Sequence, residues 1–184
     1  MSQSAAAFIA ALTNDRRFGP GERARIRALA GRGLDESVPG FDLFTGLRWP
    51  VRQRNKAAPR REVAWLVAKL YAARCIPHVP CEPEGPTTLA AILGREERRL
   101  SDRAALRFPQ RFDELLQTPL SALEPRLRWA LSVVRGAVIH ERSPGIDWVQ
   151  LTDDLSIWDR GEEHRRDRDV RDIWAEHYLN ATQR

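Results

Sequence analysis

Cysteine is almost missing from this chain of 184 residues: Cys75 and Cys81 are its only two. So few thiols do not make a disulfide framework, and the expected setting is reducing and cytoplasmic. The opening "MSQSAAAFIAALTNDRRF" lacks a basic segment ahead of its apolar stretch, and Ala5 to Leu12 is too short to span a bilayer, so no membrane partner is expected. Lysine is equally scarce. Lys56 and Lys69 stand against 28 arginines among the 30 basic residues. Arginine suits bidentate phosphate contacts and stacking, but an Arg-, Ala-, Gly- and Pro-rich chain also reflects a GC-rich coding sequence, so position has to decide.

Long Val/Ile/Thr runs are missing too, which leaves no segment that reads as a buried strand. An all-α fold follows: two small helical bundles joined by a Pro/Gly-rich loop, residues 1–86 and 87–184, with the boundary in "IPHVPCEPEGPTT". Ser4 can cap a first helix to Leu12, and Pro20 opens a second that stops near Gly31. After a loop, "GRGLDESVPG", a short aromatic-rich helix "FDLFTGLRW" is expected to end at Pro50. The helix from Pro59 carries Val63, Leu66, Val67, Leu70 and Tyr71 on one face and should be the core of the first bundle. In the second bundle a long helix repeats Leu123, Leu127, Leu131, Val134 and Val138, with Pro125 in its first turn. Trp148, Leu151, Leu155 and Trp158 mark the next helix, and Val170, Ile173, Trp174 and Tyr178 the last. Burial of Trp148, Trp158 and Trp174 in the second bundle is expected.

Chemistry-bearing clusters are thin. "CIPHVPC" sets Cys75, His78 and Cys81 three residues apart, but structural zinc needs a fourth ligand and none is near, so no metal or other cofactor is expected. Asp147, Asp153, Asp154 and Asp159 fall on the solvated face of a helix whose other face is apolar. His164 and His177 stand among charges on the last helix. Without a nucleotide-binding glycine loop, or a nucleophile paired with a base, the chain reads as a protein without catalytic activity.

What remains is charge, and it is uneven. Net charge is +6 over residues 1–86 (14 basic, 8 acidic), +3 over 87–142 (10 and 7) and −4 over 143–184 (6 and 10), which closes at +5. Arg23 and Arg27 are i,i+4 neighbours beside Ile26 and Leu29. Arg128, Arg135 and Arg142 recur every seven residues, about 80 to 100° from the leucine stripe. "REERRLSDRAALRFPQR" places Arg95, Arg99, Arg103, Arg107 and Arg111 at every fourth position, interrupted by Glu96, Glu97 and Asp102, and Pro109 predicts a bend before Arg107 or Arg111. One such run is usually a solvated face; three separate flanks point to an anionic partner.

The order "GERARIRALAG", "FDLF", "RREVAWLVAKLYA", "QRFDELL", "LRWALSVV", "IDWVQLTDDLSIWD" and "VRDIWAEHY" resembles the CasB family, the small subunit of the type I-E CRISPR Cascade complex, over about residues 18 to 180. Gly21, Arg23, Ala24, Ile26 and Arg27 match its first motif, where Ala28 replaces a final arginine; Arg111 and Phe112 match a second, with Gln110 replacing an arginine, and Arg128 a third. The resemblance implies a non-catalytic, all-helical ribonucleoprotein subunit, present in two copies among other Cascade subunits. Such a subunit touches guide RNA and stabilises an R-loop by holding the target and displaced single-stranded DNA. Arg23, Arg27, Arg107, Arg111, Arg128 and Arg135 are the expected nucleic-acid-binding residues, with Arg95, Arg99 and Arg103 as electrostatic surround. The rival reading is a helical scaffold for acidic protein partners without nucleic acid. A DNA-reading regulator is disfavoured because no helix-turn-helix with a short glycine turn is found.

Overall fold

The computed structural model describes residues 3–34, 38–54, 59–82, 87–159 and 169–183. The described residues form nine α-helices and a short 3₁₀ turn, Leu120–Ala122, with no strand beyond an isolated bridge between His78 and Ile146. The all-α expectation holds. None of these helices is long and apolar enough to cross a membrane. They fall into two compact units, residues 1–75 with 148–156 and residues 76–147 with 157–184.

The first unit contains α1 (Gln3–Leu12), α2 (Pro20–Arg27), α3 (Val38–Arg54), α4 (Arg61–Arg74) and α8 (Trp148–Ile157, assigned to this unit as far as Ser156). Pro20 starts α2, where its missing N–H costs nothing. Cys75 ends α4 in the left-handed conformation, φ 50°, and donates its N–H back to the Tyr71 carbonyl. Every residue from Val63 to Ala72 is buried, so α4 is covered on all sides rather than along one stripe. Around it Phe44 meets Trp65 edge-on at 5.4 Å, and Tyr71 meets Trp148 edge-on at 5.6 Å. Burial forces the polar ends of α4 to find partners. Trp65 Nε1 and Lys69 Nζ both donate to the Arg32 carbonyl, at 3.1 and 2.9 Å.

Two expectations for this unit need correction. The helix over 41–49 runs instead from Val38 to Arg54, through Pro50, and so takes in the last residues of the expected loop. Trp148 is buried as expected, but in the first unit rather than the second.

The second unit contains α5 (Leu89–Glu97), α6 (Asp102–Gln117), α7 (Glu124–Ile139) and α9 (Val170–Gln183). Thr88 caps α5 by accepting from Ala91 N at 3.3 Å. α5 and α9 cross so closely that a Cβ added to Gly94 would stand 2.4 Å from the Tyr178 carbonyl oxygen. Phe112 stacks on Tyr178 with centroids 4.0 Å apart, and Trp158 meets Trp174 edge-on at 5.0 Å. Pro125 lies in the first turn of α7, and Leu123, Leu127, Leu131 and Val134 are buried as their spacing requires. The start of the Pro/Gly-rich segment is tied down. Val79 N donates to Ile146 O and Ile146 N to Pro77 O, both at 3.0 Å, and the buried Asp147 carboxylate accepts from Cys81 N at 2.9 Å.

Candidate nucleic-acid interface

Among the described residues of the second unit, Arg107, Arg111, Arg126 and Arg135 of the α6–α7 hairpin are exposed. Phe108, Phe112 and Leu115 carry one face of α6 into the core, which turns Arg107 and Arg111 outward on its flank. The Arg111 guanidinium lies over the Trp129 ring, 5.7 Å from its centroid, and Trp129 rests edge-on against Phe108 at 5.2 Å. An indole beneath it favours a fixed guanidinium orientation, with in-plane donors left for an anion. Arg107 is exposed one turn earlier.

On α7 the buried stripe leaves Arg128 and Arg135 on the opposite flank, about 20° apart and about 100 to 120° around the helix from Trp129. Arg135 is exposed, while Arg128 lies 3.8 Å from Glu124. Between the helices Arg126 pairs with Glu114 at 3.1 Å. The hairpin therefore carries two arginine rows, Arg107 with Arg111 and Arg128 with Arg135. In the first unit Arg27 is exposed, whereas Arg23 donates to Asp15 Oδ1 at 2.7 Å, a bond that pushes its pKa up.

The fourfold ladder is broken, but not where Pro109 suggested. α5 ends at Glu97 and α6 begins at Asp102, so the break falls at residues 98–101 and Pro109 lies inside α6. Arg95 is half-buried, and burial pushes its guanidinium pKa down. Arg99 lies 3.7 Å from Glu96. Arg142 does not extend the α7 row: it lies beyond the helix end and grips Glu96 with two nitrogens, the shortest contact being 2.6 Å. The Arg103 side chain lies outside the described residues, as do His164, Arg165, Arg166 and Arg168.

The aspartates are not on one solvated face. Asp147 is buried, Asp159 accepts from Leu120 N and pairs with Arg171, and Asp154 accepts from Gln150. Cys75 and Cys81 are free thiols, and His78 Nδ1 lies 3.9 Å from Asp147. Among the described residues no three His, Cys, Asp or Glu side chains stand close enough to hold a metal ion. Sequence reasoning missed Trp129, and also Trp49 with its arginine neighbours. The available signal was an arginine directly before each tryptophan, in "LRW" at 47–49 and again at 127–129.

Fold and surface together define an all-helical protein of two compact units that displays arginine on exposed helix flanks. Residues 22–179 match the family described as CRISPR-associated protein Cse2, and the chain belongs to that family. Among solved structures it resembles a CRISPR-associated protein of the Cse2 family from Thermus thermophilus, at 25% identity and a TM-score of 0.68, covering 98% of this chain and 100% of that one. A structure described as CasB from Thermus thermophilus is similar at 25% identity and a TM-score of 0.67, with the same coverage. CasB of M. ruber, at 23% identity and a TM-score of 0.69 over 100% of this chain and 96% of that one, shares the fold. No curated protein matches the sequence.

Proposed function

We propose that the protein is a non-catalytic, nucleic-acid-binding subunit of a type I-E CRISPR Cascade complex in the cytoplasm. It touches guide RNA and holds target and displaced single-stranded DNA, so that the open R-loop is stabilised beside other Cascade subunits and a second copy of itself. Membership of the Cse2 family supports this reading. The observation that carries it is the α6 row, with Arg111 over Trp129 and Arg107 one turn away. Guanidinium groups on an exposed flank suit phosphate, and backbone contacts of this kind need little sequence readout.

Fluorescence anisotropy with labelled single-stranded DNA and RNA over a series of salt concentrations tests it. Phosphate contacts release counterions, so affinity should fall steeply with salt. Arg107→Ala and Arg111→Ala should each weaken binding to all sequences alike and reduce the slope by about 0.7 to 1. A scaffold for acidic proteins would instead leave single strands unbound at low salt. Magnesium-dependent cleavage of either strand, or one bound equivalent of zinc, would overturn the non-catalytic, metal-free reading.

A further inference from the structure

Trp49 departs from the other tryptophans of the first unit. Trp65 and Trp148 are buried, but Trp49 on α3 is 53% exposed. Phe44, Leu47 and Val51 take the opposite face of α3 into the core. Three residues on, and about 60° around the helix, the exposed Arg52 shares the Trp49 face. Arg48 is half-buried, and its Nε and Nη2 donate to the Pro59 carbonyl at 3.3 and 3.1 Å. Burial lowers its pKa most, the nearby charges of Arg52 and Arg61 lower it further, and Glu62 opposes them. On α3, Arg48 and Arg52 thus flank a tryptophan whose indole is about half-exposed.

We infer that Trp49 and Arg52 form a base-stacking platform for single-stranded nucleic acid, the indole taking the face of one unpaired base and the guanidinium an adjoining phosphate. The site shares no residue with the arginine rows of α6 and α7 and rests on the reading that the protein binds nucleic acid. Two demands select this occupant. An acidic protein segment would satisfy the arginines but has little to lay on an indole, and an apolar partner would cover the indole at the cost of desolvating guanidinium groups. A single strand offers flat apolar faces and phosphates in alternation, and indole stacks on any base.

The test compares the full chain with Trp49→Ala, Trp49→Phe and Arg52→Ala, binding labelled oligodeoxythymidine and an abasic deoxyribose-phosphate chain of equal length over a salt series. Trp49→Ala should weaken oligodeoxythymidine binding about five- to tenfold, leave the salt slope unchanged, and leave the abasic chain bound as before. Trp49→Phe should recover most of the loss. Arg52→Ala should weaken both ligands and lower the slope by about 0.7. Equal loss on both chains, or none, overturns the platform while wild-type binding keeps the broader reading; failure of the wild type to bind either chain at low salt overturns both. If Trp49→Ala weakens poly-glutamate binding as much as oligodeoxythymidine binding, the surface belongs to an acidic protein instead.

Discussion

Arg23 and Asp15 form an ion pair at 2.7 Å in which the arginine side chain is 15% exposed and the aspartate 76%. Arg23 is also proposed to meet nucleic acid, so Asp15 competes with phosphate for its guanidinium. Asp15→Asn keeps a hydrogen-bond acceptor and removes the competing charge. A pair with one exposed partner contributes about 1 kcal/mol or less to folding, so melting should fall by no more than about 2 to 4 °C. Binding to a single strand should tighten about two- to fivefold at low salt, consistent with a competition of that size. Weaker binding in the same titration would mean that Asp15 aims Arg23 rather than withholding it.

Gly94 and Gly136 should respond oppositely to the same substitution. At Gly94 a Cβ would lie 2.4 Å from the Tyr178 carbonyl oxygen and 2.9 Å from Ala181 Cβ, so Gly94→Ala must push α5 and α9 apart. Overpacking of this kind costs about 1 to 3 kcal/mol, read by calorimetry as about 2 to 4 °C of melting temperature per kcal/mol. At Gly136, inside α7, nothing lies within 4 Å. There alanine removes backbone freedom from the unfolded chain and should stabilise by about 0.4 to 1 kcal/mol. Equal shifts in the two variants would contradict the close crossing.

Helix identity was legible in the sequence because apolar spacing and burial coincide: Leu127, Leu131 and Val134 on α7, Leu151 and Leu155 on α8, Trp174 and Tyr178 on α9 are all buried. Helix boundaries were less legible where proline was read as a stop, at Pro50, or as the cause of a bend, at Pro109. Pro50 and Pro109 lie inside α3 and α6, whose packed faces outweigh one missing hydrogen bond each. Spacing alone cannot show which arginines are already engaged. Arg142 fits the sevenfold series of Arg128 and Arg135, yet it follows the end of α7 and closes on Glu96, 46 residues earlier. Trp129 was read as one more helical residue, because its role depends on Arg111 reaching it from another helix. Such contacts are tertiary, and periodicity carries no trace of them.

Arg111→Lys should separate charge from stacking. Lysine keeps the positive charge but loses the flat group over Trp129 and the forked donors. The salt slope should stay at its wild-type value while affinity for a single strand drops about two- to fivefold, because an ammonium cannot make the forked phosphate contact of a guanidinium. A combined Arg165, Arg166 and Arg168 to alanine variant, in the acidic last third of the chain, should weaken binding less than Arg111→Ala. If it weakens binding as much, the α6 row is not the principal contact.

The proposed boundary in the Pro/Gly-rich loop can be checked by producing residues 1–86 and 87–184 as separate fragments. Residues 148–156 are counted with the first unit, and Trp148, fully buried there, packs edge-on against Tyr71 at 5.6 Å. Fragment 1–86 lacks that ring, and removing a buried tryptophan costs about 3 to 5 kcal/mol. Alone it should therefore be helical by circular dichroism but melt without a sharp transition. Adding fragment 87–184 should restore cooperative melting, because it supplies Trp148 and the rest of α8. A sharp transition in 1–86 alone, unchanged by the second fragment, would mean that the first bundle closes its core without α8.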